Sequence, residues 1–316
     1  MTAPLRPPSR PAAILLTLLA SLLWGSSFVV NKLGLDGGLD PVMFTLLRMI
    51  LAAAITTALV ARTPRRALRW FLDWRILVLG LSNAGGFLFQ YLGQGQTSSS
   101  HAALLANAGL PLVVFLGWWL LRENLDPLRL VSVVLTLVGA LLIALWRAPG
   151  GGEASLRGDV LVGLSSATWA IFIVLNRRLM QERPGELLPM TAAMYLWTVL
   201  TTLPVAASRG FPLPERPAGW LAVAYTGVFC SVIPYLSWSH GLKTITAAAS
   251  SVLLTLEIVF AVLLSMAILG ESLGWGAVAG GVLILLGAAL VSRAPCPAKA
   301  PAGRSTFSAL TGRRAS

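Results

Sequence analysis

Charge is scarce in this sequence. Only 11% of its 316 residues are Asp, Glu, Lys or Arg, against 56% hydrophobic residues and a mean hydropathy of +0.78. Soluble domains carry about a quarter charged residues, so a soluble fold is excluded. Cysteine and histidine are also rare, with two of each. Cys230 and Cys296 cannot build a disulfide framework and lack metal-ligand spacing, and His101 and His240 stand far apart. There is no GxxxxGK[ST] loop, which excludes ATP hydrolysis by that route. There is also no HExxH pair, no pair of loop aspartates and no nucleophile beside a base. No cofactor or metal is expected, and the chain is not expected to be an enzyme.

What the sequence has is long apolar runs. Ten segments of about 20 residues are each long enough to cross a bilayer core: 12–31, 41–61, 75–95, 101–121, 129–147, 158–177, 187–207, 218–240, 247–269 and 274–292. The expected fold is an all-α integral membrane protein with no room for a soluble domain. The net charge of +12 is explained by orientation. With the N-terminus cytoplasmic, 18 of the 24 lysines and arginines fall in inner segments, five fall in outer loops, and Arg48 lies within a span. This is the positive-inside pattern, so the expected location is the cytoplasmic membrane with both termini inside. The partners are then the lipid bilayer and a small molecule, not nucleic acid. Residues 1–30 have the charge pattern of a signal peptide but no A-x-A cleavage site, and read as an uncleaved first helix after a cytoplasmic segment 1–11. Residues 293–316 are rich in Pro, Ala and Ser and read as a disordered cytoplasmic tail.

The chain repeats itself. An offset of 148 residues pairs Glu123 with Glu271, Leu88 with Leu236, Gly93 with Gly241 and Gly139 with Gly287. Nearer the start of each half an offset of 145 pairs Trp24 with Trp169, Asn31 with Asn176 and Lys32 with Arg177. Two five-helix halves, 12–147 and 158–292, follow. Five is odd, so the second half enters the membrane in the opposite sense, which is the inverted repeat of many secondary transporters.

Several stretches carry a family resemblance: "LLWGSSFVVNKLG", "PVMFTLLRMILA", "SSSHAALLANAGLPLVVFLGWWLLRENL" and "AAASSVLLTLEIVFAVLLSMAILGESL". In their order, over about residues 12–292, they resemble the EamA-type transporters of the drug/metabolite transporter superfamily. The resemblance implies a ten-helix exporter or importer of small metabolites, often amino acids or related compounds. It also implies a central cavity lined by the first four helices of each half, with the fifth and tenth packed outside. In the family, proline often follows the glutamate of the ninth span. Here Ile258 follows Glu257, which removes the reason to expect a proline break there.

Candidate site residues form polar and aromatic stripes. Asn83, Phe87, Gln90 and Gln94 recur on one helical face of span 3, and Ser231, Tyr235 and Trp238 on one face of span 8. Trp24 and Asn31 share a face in span 1, as Trp169 and Asn176 do in span 6, and Asn107 sits within span 4. Amides beside rings suit a small metabolite that is partly polar and partly apolar, although the same residues also serve interhelical hydrogen bonding. Trp24, Arg48, Gln90, Gln94, Asn107, Trp169, Tyr235, Trp238 and Glu257 are the candidate substrate-binding residues. Trp118, Trp119, Trp146, Trp220 and Trp275 read as interfacial anchors.

Arg48 and Glu257 are the charges deep within spans. A carboxylate at that depth costs about 3 kcal/mol on insertion scales. Either the two form a structural ion pair or they work on substrate and proton, with Glu257 as the proton-coupling candidate. Glu123 and Glu271, at helix ends, read as capping residues or gate contacts. Gly276 and Gly280 form a G-x-x-x-G expected to pack within the fold. The function expected is a secondary transporter of small organic metabolites working by alternating access with proton-coupled export. The alternatives are a membrane scaffold or regulatory protein, and an intramembrane enzyme.

Overall fold

The structure, a computed structural model, describes residues 8–61, 64–121, 125–145, 155–182, 185–241, 244, 250 and 253–293. Glu123, Trp146 and the tail beyond 293 lie outside these. Among the described residues all regular structure is helical. The first half comprises α1 (Arg10–Asp36), α2 (Pro41–Val60), the short α3 (Pro64–Phe71), α4 (Trp74–Gln94), α5 (Ser99–Ala106), α6 (Leu110–Leu121) and α7 (Pro127–Leu145). The second comprises α8 (Leu156–Glu182), α9 (Leu187–Ser208), α10 (Pro217–Gly227), a π-helical turn Val228–Val232, α11 (Ile233–Gly241), α12 (Leu256–Leu269) and α13 (Trp275–Arg293). Seven apolar stretches are long enough to cross a membrane, and three shorter ones, Pro127–Ile143, Leu253–Leu269 and Trp275–Leu290, bring the crossings to ten. The protein is thus a multi-pass membrane protein built as two inverted five-helix repeats.

Local chemistry starts the helices where the sequence changes character. Asp40 accepts hydrogen bonds from Val42 N and Met43 N at 2.9 and 3.0 Å, with Pro41 preset for the first turn. Asp73 caps α4 through Arg75 N at 3.0 Å. Gly270 ends α12 at φ 66°, a left-handed turn that glycine adopts without strain. Leu15, Leu59, Leu141, Leu221 and Leu263 are exposed on the helix flanks, which a lipid environment covers.

Small residues set the crossings, and the crossings repeat. A Cβ on Gly93 of α4 would lie 2.7 Å from Gly158 O of α8. In the other half, a Cβ on Gly241 of α11 would lie 2.9 Å from Ala13 O of α1. These pairs are related by the two offsets, 148 and 145. α7 packs closely on α13, where a Cβ on Gly139 would meet Gly280 O at 2.5 Å and one on Gly287 would meet Ser132 O at 2.9 Å. Gly280 therefore packs within the fold, as expected.

Two expectations of unbroken helices are corrected. Span 4 is interrupted at Asn107–Gly109, between α5 and α6, and span 9 turns at Thr255, 148 residues further on. No proline is needed at either place. Ala108 N bonds back to Leu105 O at 2.9 Å and Ile258 N to Thr255 O at 3.2 Å, in tight turns. A serine from the opposite half binds a carbonyl beside each interruption: Ser166 Oγ donates to Leu105 O at 2.8 Å, and Ser21 Oγ to Leu253 O at 2.9 Å. Span 8 also departs from a regular helix. Pro234 has no N–H for Cys230 O, and the chain makes a π turn there, whereas α4 runs straight through the matching Gly86.

Candidate substrate-binding site

The freed carbonyls of the π turn explain the buried arginine. Arg48, on α2 and 2% exposed, donates from Nη2 to Cys230 O at 3.0 Å and from Nε to Ser231 Oγ at 2.8 Å. Its third partner is the Tyr91 hydroxyl, and the guanidinium lies 4.3 Å from the Phe87 ring centroid. Tyr195 OH donates to Ser231 O at 3.1 Å, and Ser231 Oγ to Thr226 O at 2.9 Å. Arg48 does not pair with Glu257. Its fork is turned toward α4 and the π turn and joins the two halves there.

Glu257 stands in the first turn of α12, directly after the interruption. It is half-buried and, among the described residues, makes no hydrogen bond or ion pair. Its backbone is pressed against α1, where a Cβ on Gly25 would lie 2.7 Å from Glu257 O. Trp24, next to Gly25, meets Trp238 edge to face at 6.1 Å, and Trp238 meets Tyr235 at 5.9 Å. Trp238 Nε1 donates to Ser250 Oγ at 2.8 Å, and Tyr235 OH to Asn176 Oδ1 at 3.1 Å. Trp24, Tyr235 and Trp238 therefore form one contiguous set, joined to the Glu257 backbone through Gly25.

The matching set in the first half differs in chemistry. Trp169 Nε1 donates to Gln90 Oε1 at 3.4 Å, and Trp169 meets Phe87 edge to face at 4.9 Å. Phe87 links this set to Arg48. Asn107 caps its own helix through Ala103 O at 3.1 Å. Gln94 is set apart, fully buried with Nε2 donating to Phe28 O. Trp24, Asn107, Trp169, Trp238 and Glu257 keep partial exposure, whereas Arg48, Gln90, Gln94 and Tyr235 are enclosed by partners. Trp118, Trp119, Trp220 and Trp275 are exposed on the flanks.

Sequence reading missed Ser21, Ser166, Tyr91 and Tyr195. Pro234 was the available signal for the last two, because a proline in an apolar span announces a carbonyl that needs a donor. The two serines carried none, since an isolated serine in a membrane helix usually bonds back to its own chain.

The model of the EamA-like transporter family matches residues 11–145 and again 156–293. The chain belongs to that family. It is 27% identical to an uncharacterized transporter of Archaeoglobus fulgidus over 286 residues, 88% of this chain and 96% of the other. It is 25% identical over 288 residues to a probable amino-acid metabolite efflux pump of Salmonella typhimurium, covering 86% and 92%. A crystal structure at 21% identity has the same fold, with a TM-score of 0.62 over 90% of this chain and 97% of that one.

Proposed function

We propose that this EamA-like protein is a secondary transporter that exports small organic metabolites, amino acids or related compounds, across the cytoplasmic membrane by alternating access coupled to protons. The observation that carries this reading is Glu257: a half-buried carboxylate within a membrane-spanning segment, without a hydrogen bond or ion pair among the described residues and placed at an interrupted helix. Intramembrane ionisable groups mark substrate or ion pathways, and paired helix interruptions in inverted repeats mark binding sites. The efflux pump of Salmonella typhimurium, similar along most of its length, supports the export direction and the substrate class.

In this reading Trp24, Trp169, Trp238, Asn107 and Glu257 face the pathway, and Gln90 and Tyr235 orient the rings. Arg48 and Gln94 brace the wall. The interruptions at Asn107–Gly109 and Thr255 let the halves bend while the inverted repeat exchanges two conformations. Glu257 takes up a proton in one state and releases it in the other, as its solvation and neighbours change.

The test is counterflow and pH-driven flux of a panel of radiolabelled amino acids in proteoliposomes. Flux of at least one compound above protein-free liposomes is expected, and no flux for any compound on the panel contradicts the reading. A reporter inserted at residue 68 is expected to face the cytoplasm. An external signal there contradicts the orientation.

A further inference from the structure

At the end of the bundle opposite α3, buried polar atoms lack hydrogen bonds in an uneven way. Among the described residues six buried side-chain N or O atoms accept or donate no hydrogen bond: both amide atoms of Asn31, Gln94 Oε1, Ser99 Oγ, His101 Nδ1 and Thr136 Oγ1. The first five lie on α1, α4 and α5, near this end. Gln94 Nε2 bonds Phe28 O, which places its amide within about one turn, or 5.4 Å of rise, of Asn31. Ser99 and His101 are in the first turn of α5. Each such atom costs about 1–3 kcal/mol when buried without a partner. Buried polar atoms are ordinarily satisfied by protein groups or by water, so a cluster of them at one end is where water entry would be most favourable.

Something must hold that end shut against the cost. Glu271, from the loop between α12 and α13, reaches across to the first half. Its Oε1 accepts from Ser99 N at 2.6 Å, and its Oε2 from Ser100 N at 2.8 Å and from the Ser100 hydroxyl. These are the free N–H groups of the first turn of α5, where a negative charge is favourable. Behind Glu271, Gly270 turns the chain at φ 66°. α5 is only eight residues long and ends at the interruption, so it can swing as a unit. Beside it, Thr97 Oγ1 donates to Asp159 Oδ1 at 2.6 Å, and His101 Nδ1 lies 3.7 Å from the same oxygen. Ser155 N donates to Gln96 O at 2.9 Å, which brings the start of α8 onto the end of α4.

We infer that α5 is the gate of the pathway at this end, hinged at Asn107–Gly109, and that Glu271 is the latch that holds it closed. Release of Glu271 lets α5 swing outward and hydrates Asn31, Gln94, Ser99 and His101. The inference rests on the alternating-access reading, but its test needs no substrate, so failure of one is distinguishable from failure of the other.

The test is a spin-label distance measurement on the full-length protein in nanodiscs, with the native cysteines replaced (Cys230→Ala, Cys296→Ser). Labels go on the two sides of the latch, at Ser98→Cys, partly exposed at the start of α5, and at the exposed Ser272→Cys. With Glu271 present a single narrow distance is expected. Glu271→Gln loses an accepting oxygen and the charge, and a second population, longer by about 5 Å or more, is expected to appear. If that variant does not elute as a folded species, Glu271→Asp, which shortens the reach by one methylene, is expected to do the same to a lesser degree. A distribution identical to the parent in the folded latch variants overturns the inference, whatever transport they show.

Discussion

The two halves share a skeleton but not their chemistry. Ser21 and Ser166 bind matching carbonyls, Gly93 and Gly241 make matching crossings, and both fourth helices are interrupted at matching positions. At the interruption, however, Gly109 in the first half stands where Glu257 stands in the second. Asn176 is satisfied by Tyr235, whereas its counterpart Asn31 has no hydrogen-bond partner among the described residues, and the residue matching Tyr235 is Phe87, which carries no hydroxyl. α4 is regular, whereas its counterpart takes a π turn just before Pro234 and hands its carbonyls to Arg48 and Tyr195. Shared positions hold the helices together. Differing positions mark where one half carries chemistry that the other does not need.

Exchanging the residues at the interruption is expected to have the largest effect. Gly109→Glu places in the first half what the second half has, but a Cβ there would lie 2.5 Å from Ser166 O, a backbone atom with no room to yield. Folded protein is expected to fall to a small fraction of wild type by fluorescence-detected size exclusion. Near-normal yield would mean that the two interruptions are interchangeable.

Arg48→Lys comes next. Lysine keeps the charge but not the planar fork that reaches Cys230 O, Ser231 Oγ and Tyr91 together. Loss of about 1.5–3 kcal/mol is expected, from hydrogen bonds to a charged group left unmade. It is read as a lower midpoint in thermal unfolding, and an unchanged midpoint would remove Arg48 as the brace of the π turn.

The smallest effects are expected at the asparagines, with opposite signs. Asn176→Leu strands the Tyr235 hydroxyl and is expected to lower stability by about 1–2 kcal/mol. Asn31→Leu removes two unpaired polar atoms at a site of similar volume and is expected to raise stability by about 1 kcal/mol. The same sign for both in thermal unfolding would erase the distinction between the halves.

Much of this was legible in the sequence, because hydrophobic length and small-residue spacing act locally. Ten spans, the offsets of 145 and 148, and the packing role of Gly280 follow from patterns that a membrane imposes on any chain. The interruption near Glu257 was hidden because Ile258 offers no backbone reason for it. The causes lie in the other half, in Ser21 bonding Leu253 O and in Gly25 pressing on Glu257 O. Of the two alternatives left open for Arg48 and Glu257, the structural ion pair is ruled out by contacts that lie outside their own helices. Only the folded π turn shows that two backbone and side-chain oxygens and a tyrosine already surround the guanidinium. Glu271 was legible as a capping residue, but not which helix it caps, since Ser99 lies 172 residues away in sequence.

The account turns on Glu257, and the direct measurement is substrate accumulation in proteoliposomes under an imposed pH gradient, for wild type and Glu257→Gln at matched protein density. The amide keeps the size of the side chain but cannot ionise, and a neutral group is cheaper to place in the membrane, so folding at wild-type yield is expected. The account predicts that the variant retains substrate exchange but loses pH-driven accumulation against a gradient, by tenfold or more. Accumulation by the folded variant at the wild-type level, with the same dependence on the imposed pH difference, would contradict it.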